Sequence, residues 1–187
     1  MKQVYIITEG QSDQEILKAV LPKEVVQNEN VEFIVGSGRY SAQSLACSVL
    51  AVEQVPTALI VDADTSNKAA IQEQRDLLSF SLRQASPGIK FEVFLAVPEM
   101  EILLVQNLDL VQQLTNGQEF SELELEFAKL RPKEFLLRFL KPAESYIVTL
   151  REILENLNEQ TIKAIQEYPL VKQLDEFLRS LVQVQPV

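Results

Sequence analysis

Two aspartates that close an apolar stretch are the residues best placed to do chemistry. Residues 57–61 read Thr-Ala-Leu-Ile-Val, and Asp62-Ala63-Asp64 follow at once. In an extended strand, residues two apart point the same way, so we expect both carboxylates to project together at the carboxyl end of a buried strand. Two like charges that close repel each other unless a cation lies between them. The pair therefore predicts half of a cation site.

The composition restricts which cation and which chemistry this site can use. The chain has 187 residues, with no histidine and a single cysteine, Cys47. The absence of histidine excludes histidine-activated nucleophiles and histidine-ligated metals, and together with the single cysteine it disfavours zinc. Ligation by carboxylates alone favours Mg²⁺, Mn²⁺ or Ca²⁺. One cysteine also excludes an internal disulfide and is typical of a reducing compartment.

The net charge bears on the partners of the protein. The formal net charge is −10 at pH 7, whereas proteins that bind nucleic acid through a broad electrostatic surface are usually basic. This charge argues against tight, nonspecific binding by the chain alone, although bound divalent ions would reverse it locally. The sequence has no signal peptide and no apolar stretch of membrane-spanning length. We expect a soluble, cytoplasmic protein without a membrane partner.

Apolar runs of strand length alternate with helical patterns over roughly the first 105 residues. The predicted strands are 4–8, 31–35, 57–61 and 91–97, and the predicted helices are 12–21, 41–53, 68–84 and one that begins at Pro98. Ser12 and Glu15 fit a capping box at the start of the first helix. Because the strands are apolar on both faces, we predict an α/β fold with a mainly parallel four-stranded sheet between two helical layers.

Such a sheet gathers polar residues at one edge, since sites in parallel sheets form at the carboxyl ends of the strands. Four features of the sequence are expected at this edge: Glu9, the Gly36–Arg39 loop, the Asp62/Asp64 pair and the turn at Pro98. One cleft would then hold them together. Gly10 gives the backbone room to bend directly after Glu9.

Two of these features together resemble the signature of the Toprim domain. Glu9-Gly10 follows the first predicted strand, and Asp62-Ala63-Asp64 follows the third. Topoisomerases, primases, recombination proteins and OLD-family nucleases share a Glu-Gly turn and an Asp-x-Asp in these places. The resemblance covers residues 1–106 and is nearest to the small stand-alone or OLD-nuclease-like Toprim proteins. It implies a Toprim-like, Rossmann-like three-layer sandwich.

The resemblance also implies roles for the acidic residues. Glu9 would act as general acid or base, and Asp62 and Asp64 would bind Mg²⁺ or Mn²⁺. Asp13 stands four residues after Glu9, where these proteins commonly carry an acidic residue, and with Glu101 or Glu9 it would contribute to a second ion.

A second acidic residue competes with Glu101 for this role. Glu99 and Glu101 both follow Pro98, and in a regular helix they would point to nearly opposite sides. Glu101 fits the family pattern better, because Ile102 and Leu103 follow it directly.

Phosphate contacts are assigned more loosely. The candidates are Gly10, Arg39, Lys68 and Lys141, the last as counterpart of a late lysine used by OLD-like nucleases. An ordinary surface position is the simpler interpretation of Arg39 and Lys68. Lys141 belongs to a basic cluster that also contains Lys129, Arg131, Lys133 and Arg138. A solvated helix face that pairs with nearby glutamates explains this cluster more simply than a phosphate-facing patch.

Residues 107–187 are predicted to form a helical extension packed on the α/β domain. One apolar stripe contains Ile147, Leu150, Leu154 and Leu157, and another contains Leu170, Leu174, Phe177, Leu178 and Leu181. Packing of these helices on the sheet or on each other is the favoured interpretation. A homodimer or a protein partner bound through the extension is the alternative.

The predicted activity is Mg²⁺-dependent phosphodiester chemistry on DNA or RNA, as in a nuclease or nickase. Three alternatives stay open. A noncatalytic binding or regulatory module would keep the Toprim fold. A nucleotide-sugar transferase also has an Asp-x-Asp after a strand, but gives Glu9-Gly10 no role. A phosphatase of the haloacid dehalogenase type would use Asp62 as nucleophile and ranks lower, since its Asp-x-Asp normally follows the first strand.

Overall fold

The computed structural model describes residues 4–106, 108–115, 117–140 and 145–181. Four strands are present within them: β1 Val4–Thr8, β2 Val31–Val35, β3 Thr57–Asp62 and β4 Phe91–Ala96. They form one sheet in the order β2-β1-β3-β4, and every neighbouring pair is parallel. The predicted α/β fold with a parallel four-stranded sheet is therefore confirmed.

Helices fill the connections and most of the second half of the chain. In the first half they are α1 Gln11–Val20, α2 Lys23–Val26, α3 Arg39–Ser48, a π-helical turn Val49–Glu53, α4 Lys68–Ala85 and α5 Ile102–Val105. In the second half they are α6 Leu108–Leu114, α7 Glu122–Leu130, α8 Pro132–Leu140, α9 Tyr146–Glu155, α10 Glu159–Gln166 and α11 Pro169–Arg179. None of the helices in the described ranges is long and apolar enough to cross a bilayer.

The sheet lies between two apolar layers. Successive residues of a strand point to opposite faces, so Ile6 packs with α1 and the second-half helices while Ile7 packs with α3 and α4. Ile60 and Leu59 divide in the same way on β3. This arrangement explains why both faces of each strand are apolar in the sequence.

The second half of the chain covers one face of the sheet. Leu150 on α9 and Leu174 on α11 are fully buried in the same apolar cluster as Ile60 and Phe94. The rings of Phe94 on β4 and Phe177 on α11 meet edge to face, with 6.0 Å between their centroids. The predicted boundary at residue 106 stays a prediction, and one apolar cluster joins residues from both sides of it.

Two predicted helix starts were wrong. In α1 the capping carboxylate is Asp13 rather than Glu15, because Asp13 Oδ2 accepts the Gly10 N–H at 2.7 Å. The helix predicted from Pro98 begins only at Ile102. The reason is that the preceding backbone bonds to the end of β3: the Met100 N–H donates to Asp62 Oδ1 at 2.9 Å, and the Pro98 carbonyl accepts from the Asp64 N–H at 2.9 Å.

Candidate acidic site at the carboxyl edge of the sheet

The strand order brings the two sequence motifs side by side. β1 and β3 are neighbours, with Thr8 in register with Ile60, so the residues that follow both strands share one edge. The loop after β2 joins them there, because the Gly38 N–H donates to the Glu9 carbonyl at 2.9 Å. A cleft of about 430 Å³ opens at this edge, lined by residues 9–13 together with Val35, Ser37, Gly38, Asp62 and Lys133.

The guanidinium of Arg39 connects three parts of this edge. Its Nη2 donates to the Asp62 carbonyl at 2.7 Å and to Asp64 Oδ2 at 2.5 Å. Its Nε lies 3.9 Å from Glu9 Oε2, and neither of these two buried atoms has a hydrogen-bond partner. The structure therefore places Glu9, Asp62 and Asp64 around a cation supplied by the chain itself.

Asp64 differs from Asp62 in both backbone and exposure. Its φ is +53°, in the left-handed region that aspartate tolerates better than most residues. Its side chain is 66 % exposed, so the ion pair with Arg39 lies largely in solvent. Asp62 lines the cleft, whereas Asp64 is not among its lining residues. The predicted projection of both carboxylates together is therefore not seen, because the strand ends at Asp62 and the backbone turns at Asp64.

Asp13 is one of the buried carboxylates of the site. It is 4 % exposed, accepts the Gly10 N–H on Oδ2, and accepts a longer bond from the Ser12 hydroxyl on Oδ1 at 3.3 Å. Burial raises the pKa of Asp13 to about 6, and the charge of Glu101 adds to this rise. The hydrogen bond from Gly10 opposes it, since it stabilises the ionised form.

Asp62 has a more strongly raised pKa than Asp13. Its pKa is raised to about 8, first by burial and then by the charges of Asp13, Glu101 and Glu9, in that order. The Met100 N–H on Oδ1 offsets only part of the rise. Four carboxylates thus interact at one place, with too little positive charge to hold all of them ionised near neutral pH.

Glu101 is the more deeply buried of the two glutamates considered for the site. It is 1 % exposed, and its charge raises the pKa of both Asp13 and Asp62. Its Oε1 accepts a hydrogen bond from the Tyr146 hydroxyl at 2.9 Å and lies 3.8 Å from Lys133 Nζ, while its buried Oε2 has no partner. Glu99 is half-buried. Its pKa is raised chiefly by burial and, to a lesser extent, by the charge of Glu101. Both glutamates precede α5, so the predicted opposition on one helix does not arise.

Among the predicted phosphate-binding residues, Gly10 lines the cleft and Arg39 holds the acidic residues as described. Lys68 is exposed at the first position of α4. Lys141 lies outside the described residues.

Sequence reasoning missed two residues that reach the site, Lys133 and Tyr146. Lys133 carried a signal as a member of a basic cluster in an acidic chain, whereas nothing in the sequence distinguished Tyr146.

The donor set fits a hard divalent cation in its chemistry. It consists of carboxylate oxygens, which Mg²⁺ and Mn²⁺ prefer, and buried oxygens of Glu9 and Glu101 lack partners. As the side chains stand, no three acidic or thiol groups within the described ranges are grouped closely enough to hold a metal ion. Arg39 and Tyr146 bond to members of the set in this arrangement.

Comparison of the chain with protein-family models finds no match, and comparison with curated proteins finds none either.

Proposed function

We propose that the chain has a Toprim-like site for Mg²⁺- or Mn²⁺-dependent phosphodiester chemistry on nucleic acid. The observation that supports this most is the raised pKa of Asp62, which burial and three neighbouring carboxylates bring to about 8. Buried like charges are costly unless a cation joins them, and strongly perturbed carboxylates in a cleft are typical of functional sites.

The position of the motifs supports the Toprim-like interpretation. The Glu-Gly turn follows β1, the Asp-x-Asp begins at the last residue of β3, and β1 and β3 are adjacent parallel strands. The two motifs, 53 residues apart between Glu9 and Asp62, thus contribute to one cleft. This arrangement gives Glu9-Gly10 a role that a nucleotide-sugar transferase would not require.

In the proposed site each carboxylate has one task. Asp62 and Asp64 would bind one divalent cation, and Asp13 and Glu101 would contribute to a second. When bound, such ions stabilise the negative charge that develops on the phosphate and leaving oxygens. Glu9 transfers a proton to or from the reacting oxygen, for which its unpartnered Oε2 is available.

Two cleft residues would contact the phosphate. Lys133 brings an ammonium group to the wall of the cleft, and Gly10 permits close approach of the backbone. Because the chain has a net charge of −10, these contacts alone do not make a nucleic-acid surface. Binding is therefore expected to require the divalent cation.

The test is cleavage of supercoiled plasmid and of single-stranded DNA and RNA with Mg²⁺ or Mn²⁺. Wild type is expected to cleave at least one substrate, Asp64→Ala and Glu9→Gln are expected to lose that cleavage, and chelation with EDTA is expected to abolish it. Asp76→Ala, on the exposed face of α4, is the matched control and should cleave like wild type. Absence of cleavage by wild type, or full activity of Asp64→Ala, would overturn the proposed activity.

The net charge of −10 favours one second candidate, a noncatalytic module that keeps the same cation site. Oligonucleotide binding by fluorescence anisotropy, measured beside cleavage of the same oligonucleotide, separates the two. A noncatalytic module would bind the cation, and a nucleic acid or protein partner, without breaking any phosphodiester bond.

A further inference from the structure

The second half of the chain supplies one wall of the acidic site. Lys133 lies on α8 and Tyr146 is the first residue of α9, and both reach Glu101 from the other side of the predicted boundary at residue 106. The Tyr146 hydroxyl donates to Glu101 Oε1 at 2.9 Å, and Lys133 Nζ lies 3.8 Å from the same oxygen. Lys133 Nζ also lies 5.4 Å from the centroid of the Tyr146 ring.

The Tyr146 hydroxyl engages one oxygen of the Glu101 carboxylate. A tyrosine hydroxyl is a neutral hydrogen-bond donor, so it adds no charge to the site. Only Oε1 is engaged, and Oε2 stays buried and without a partner in a side chain that is 1 % exposed. A buried, unpartnered carboxylate oxygen is expensive unless something binds it.

We propose that Tyr146 is a positioning residue that holds the Glu101 carboxylate so that its free oxygen, Oε2, serves as a ligand of the divalent cation. The inference rests on the proposed function. Tyr146 itself does not touch the cation. Hydrogen-bond partners of metal ligands orient the ligand, and their loss typically weakens metal binding about 10- to 100-fold.

Terbium(III) luminescence tests this contact directly. Tb³⁺ prefers oxygen ligands, as other hard cations do, and nearby aromatic side chains sensitise its emission. The chain has no tryptophan and four tyrosines, so sensitised emission reports a tyrosine close to the ion. Direct excitation of Tb³⁺ measures affinity independently of any tyrosine.

Tyr146→Phe removes the hydroxyl and keeps the ring. We expect the affinity for Tb³⁺, measured by direct excitation, to fall about 10- to 100-fold. Tyr168→Phe is the matched control, because Tyr168 is also half-buried. Burial raises the pKa of Tyr168. The pKa of Tyr146 is raised by burial and also by the charge of Glu101 and the hydrogen bond to it. The control should bind like wild type.

A double-mutant cycle separates positioning from general packing. Glu101→Gln should lose a similar factor in affinity. Tyr146→Phe added to it should cost little more, since both changes act through the same Glu101 carboxylate. Equal affinity of wild type and Tyr146→Phe would overturn the inference and leave the proposed function standing, as would a full additional loss in the Glu101→Gln background.

If Tyr146→Phe does not fold, a variant that keeps Tyr146 and lacks the other tyrosines tests the same contact. Changing Tyr5, Tyr40 and Tyr168 together to phenylalanine leaves Tyr146 as the only tyrosine. This variant should keep the sensitised emission of wild type, and loss of that emission would overturn the inference. Absence of saturable Tb³⁺ or Mn²⁺ binding by wild type would overturn the proposed function, and the inference with it.

Discussion

Asp62 lies where burial and neighbouring charge act in the same direction. Its carboxyl is surrounded by Asp13, Glu101 and Glu9, and its pKa is raised to about 8. An unfolded chain loses the same proton near pH 4. The folded protein therefore binds more protons than the unfolded one between about pH 4 and pH 8, and its stability falls as the pH rises through this window.

Asp62→Asn should remove this pH dependence. Asparagine cannot ionise and its Oδ1 can still accept the Met100 N–H, which the aspartate accepts at 2.9 Å. We expect the variant, without metal, to melt at a higher temperature than wild type at about pH 9 and to lose this advantage towards about pH 4. Thermal unfolding in EDTA across this range measures the effect.

Added Mg²⁺ provides the control for this interpretation. It should stabilise wild type more at high pH than at low pH, because binding requires ionised ligands, and should stabilise Asp62→Asn little. Parallel melting curves for wild type and variant at every pH would show that Asp62 is not the titrating group.

Arg39 stands in the metal-free protein where the acidic residues need positive charge. It bonds to Asp64 Oδ2 and to the Asp62 carbonyl, and its Nε approaches Glu9. A divalent cation bound by Asp64 would compete with this guanidinium. In the proposed site, Arg39 would therefore lower the affinity for metal.

Arg39→Gln is expected to raise Mg²⁺ affinity modestly. The ion pair with Asp64 is solvent-exposed, and such pairs contribute about 0.2–1 kcal/mol, which corresponds to at most about a fivefold change. Isothermal titration calorimetry measures the change. Arg151→Gln is the control, because Arg151 pairs with Glu15 at 2.6 Å on another surface. A weaker Mg²⁺ affinity of Arg39→Gln would contradict competition and indicate that Arg39 supports the ligands instead.

The two kinds of site residue differ in how far the sequence can indicate them. Asp62, Asp64 and Glu9 follow strands directly, so local pattern and parallel pairing were enough to predict their common edge. Tyr146 meets Glu101 across 45 positions of chain, through the packing of α9 on the first half. No local pattern encodes such a contact, which is why it was missed.

At the level of elements, the turn from β2 into α3 positions Arg39. Gly36 donates its N–H to the Thr8 carbonyl at 2.8 Å, which ties the end of β2 to the end of β1. A Cβ at position 36 would lie 2.5 Å from backbone and side-chain atoms of Ala42 on α3. Only glycine allows α3 to pack this closely, and α3 begins with Arg39.

Gly36→Ala should displace α3 and destabilise the protein. Insertion of a methyl group into packed backbone costs about 1–3 kcal/mol or more, and Mg²⁺ affinity should change with it because Arg39 moves. Chemical denaturation and calorimetry measure the two effects. Gly88→Ala is the control: its Cβ would meet nothing within 4 Å, and only its φ of +87° is unfavourable. Equal stability of Gly36→Ala and wild type would contradict the close packing.

Element prediction succeeded where one local pattern decided the outcome. The four apolar strands were found because nothing competes with their burial in the sheet. The start of α5 was wrong because the backbone from Pro98 to Met100 bonds to Asp62 and Asp64 instead of starting a helix. The acidic site itself therefore altered the local structure that the sequence pattern favoured.

At the scale of the whole molecule, the second half of the chain completes the core. One face of the sheet packs on α3 and α4, and the other packs on α1 and on second-half helices that include α9 and α11. Leu174 and Leu178 of α11 are fully buried there, beside Phe94 of β4. Removal of these helices would leave α1 and the short helices α2 and α5 on this face and expose part of its apolar surface to water.

A fragment of residues 1–106 should therefore fail to fold independently, although the sequence motifs lie within it. Loss of several buried leucines exceeds the net stability of a small domain, since each contributes about 1.5–3 kcal/mol and a domain retains only about 5–15 kcal/mol. We expect the fragment to bind a hydrophobic dye and to show poor amide dispersion by NMR, as collapsed states without fixed packing do. The full chain of 187 residues is the control and should unfold cooperatively. Cooperative unfolding of the 1–106 fragment would contradict this prediction and show that residues 1–106 form an independent domain. Tyr146 would then contact the site from a separate part of the chain.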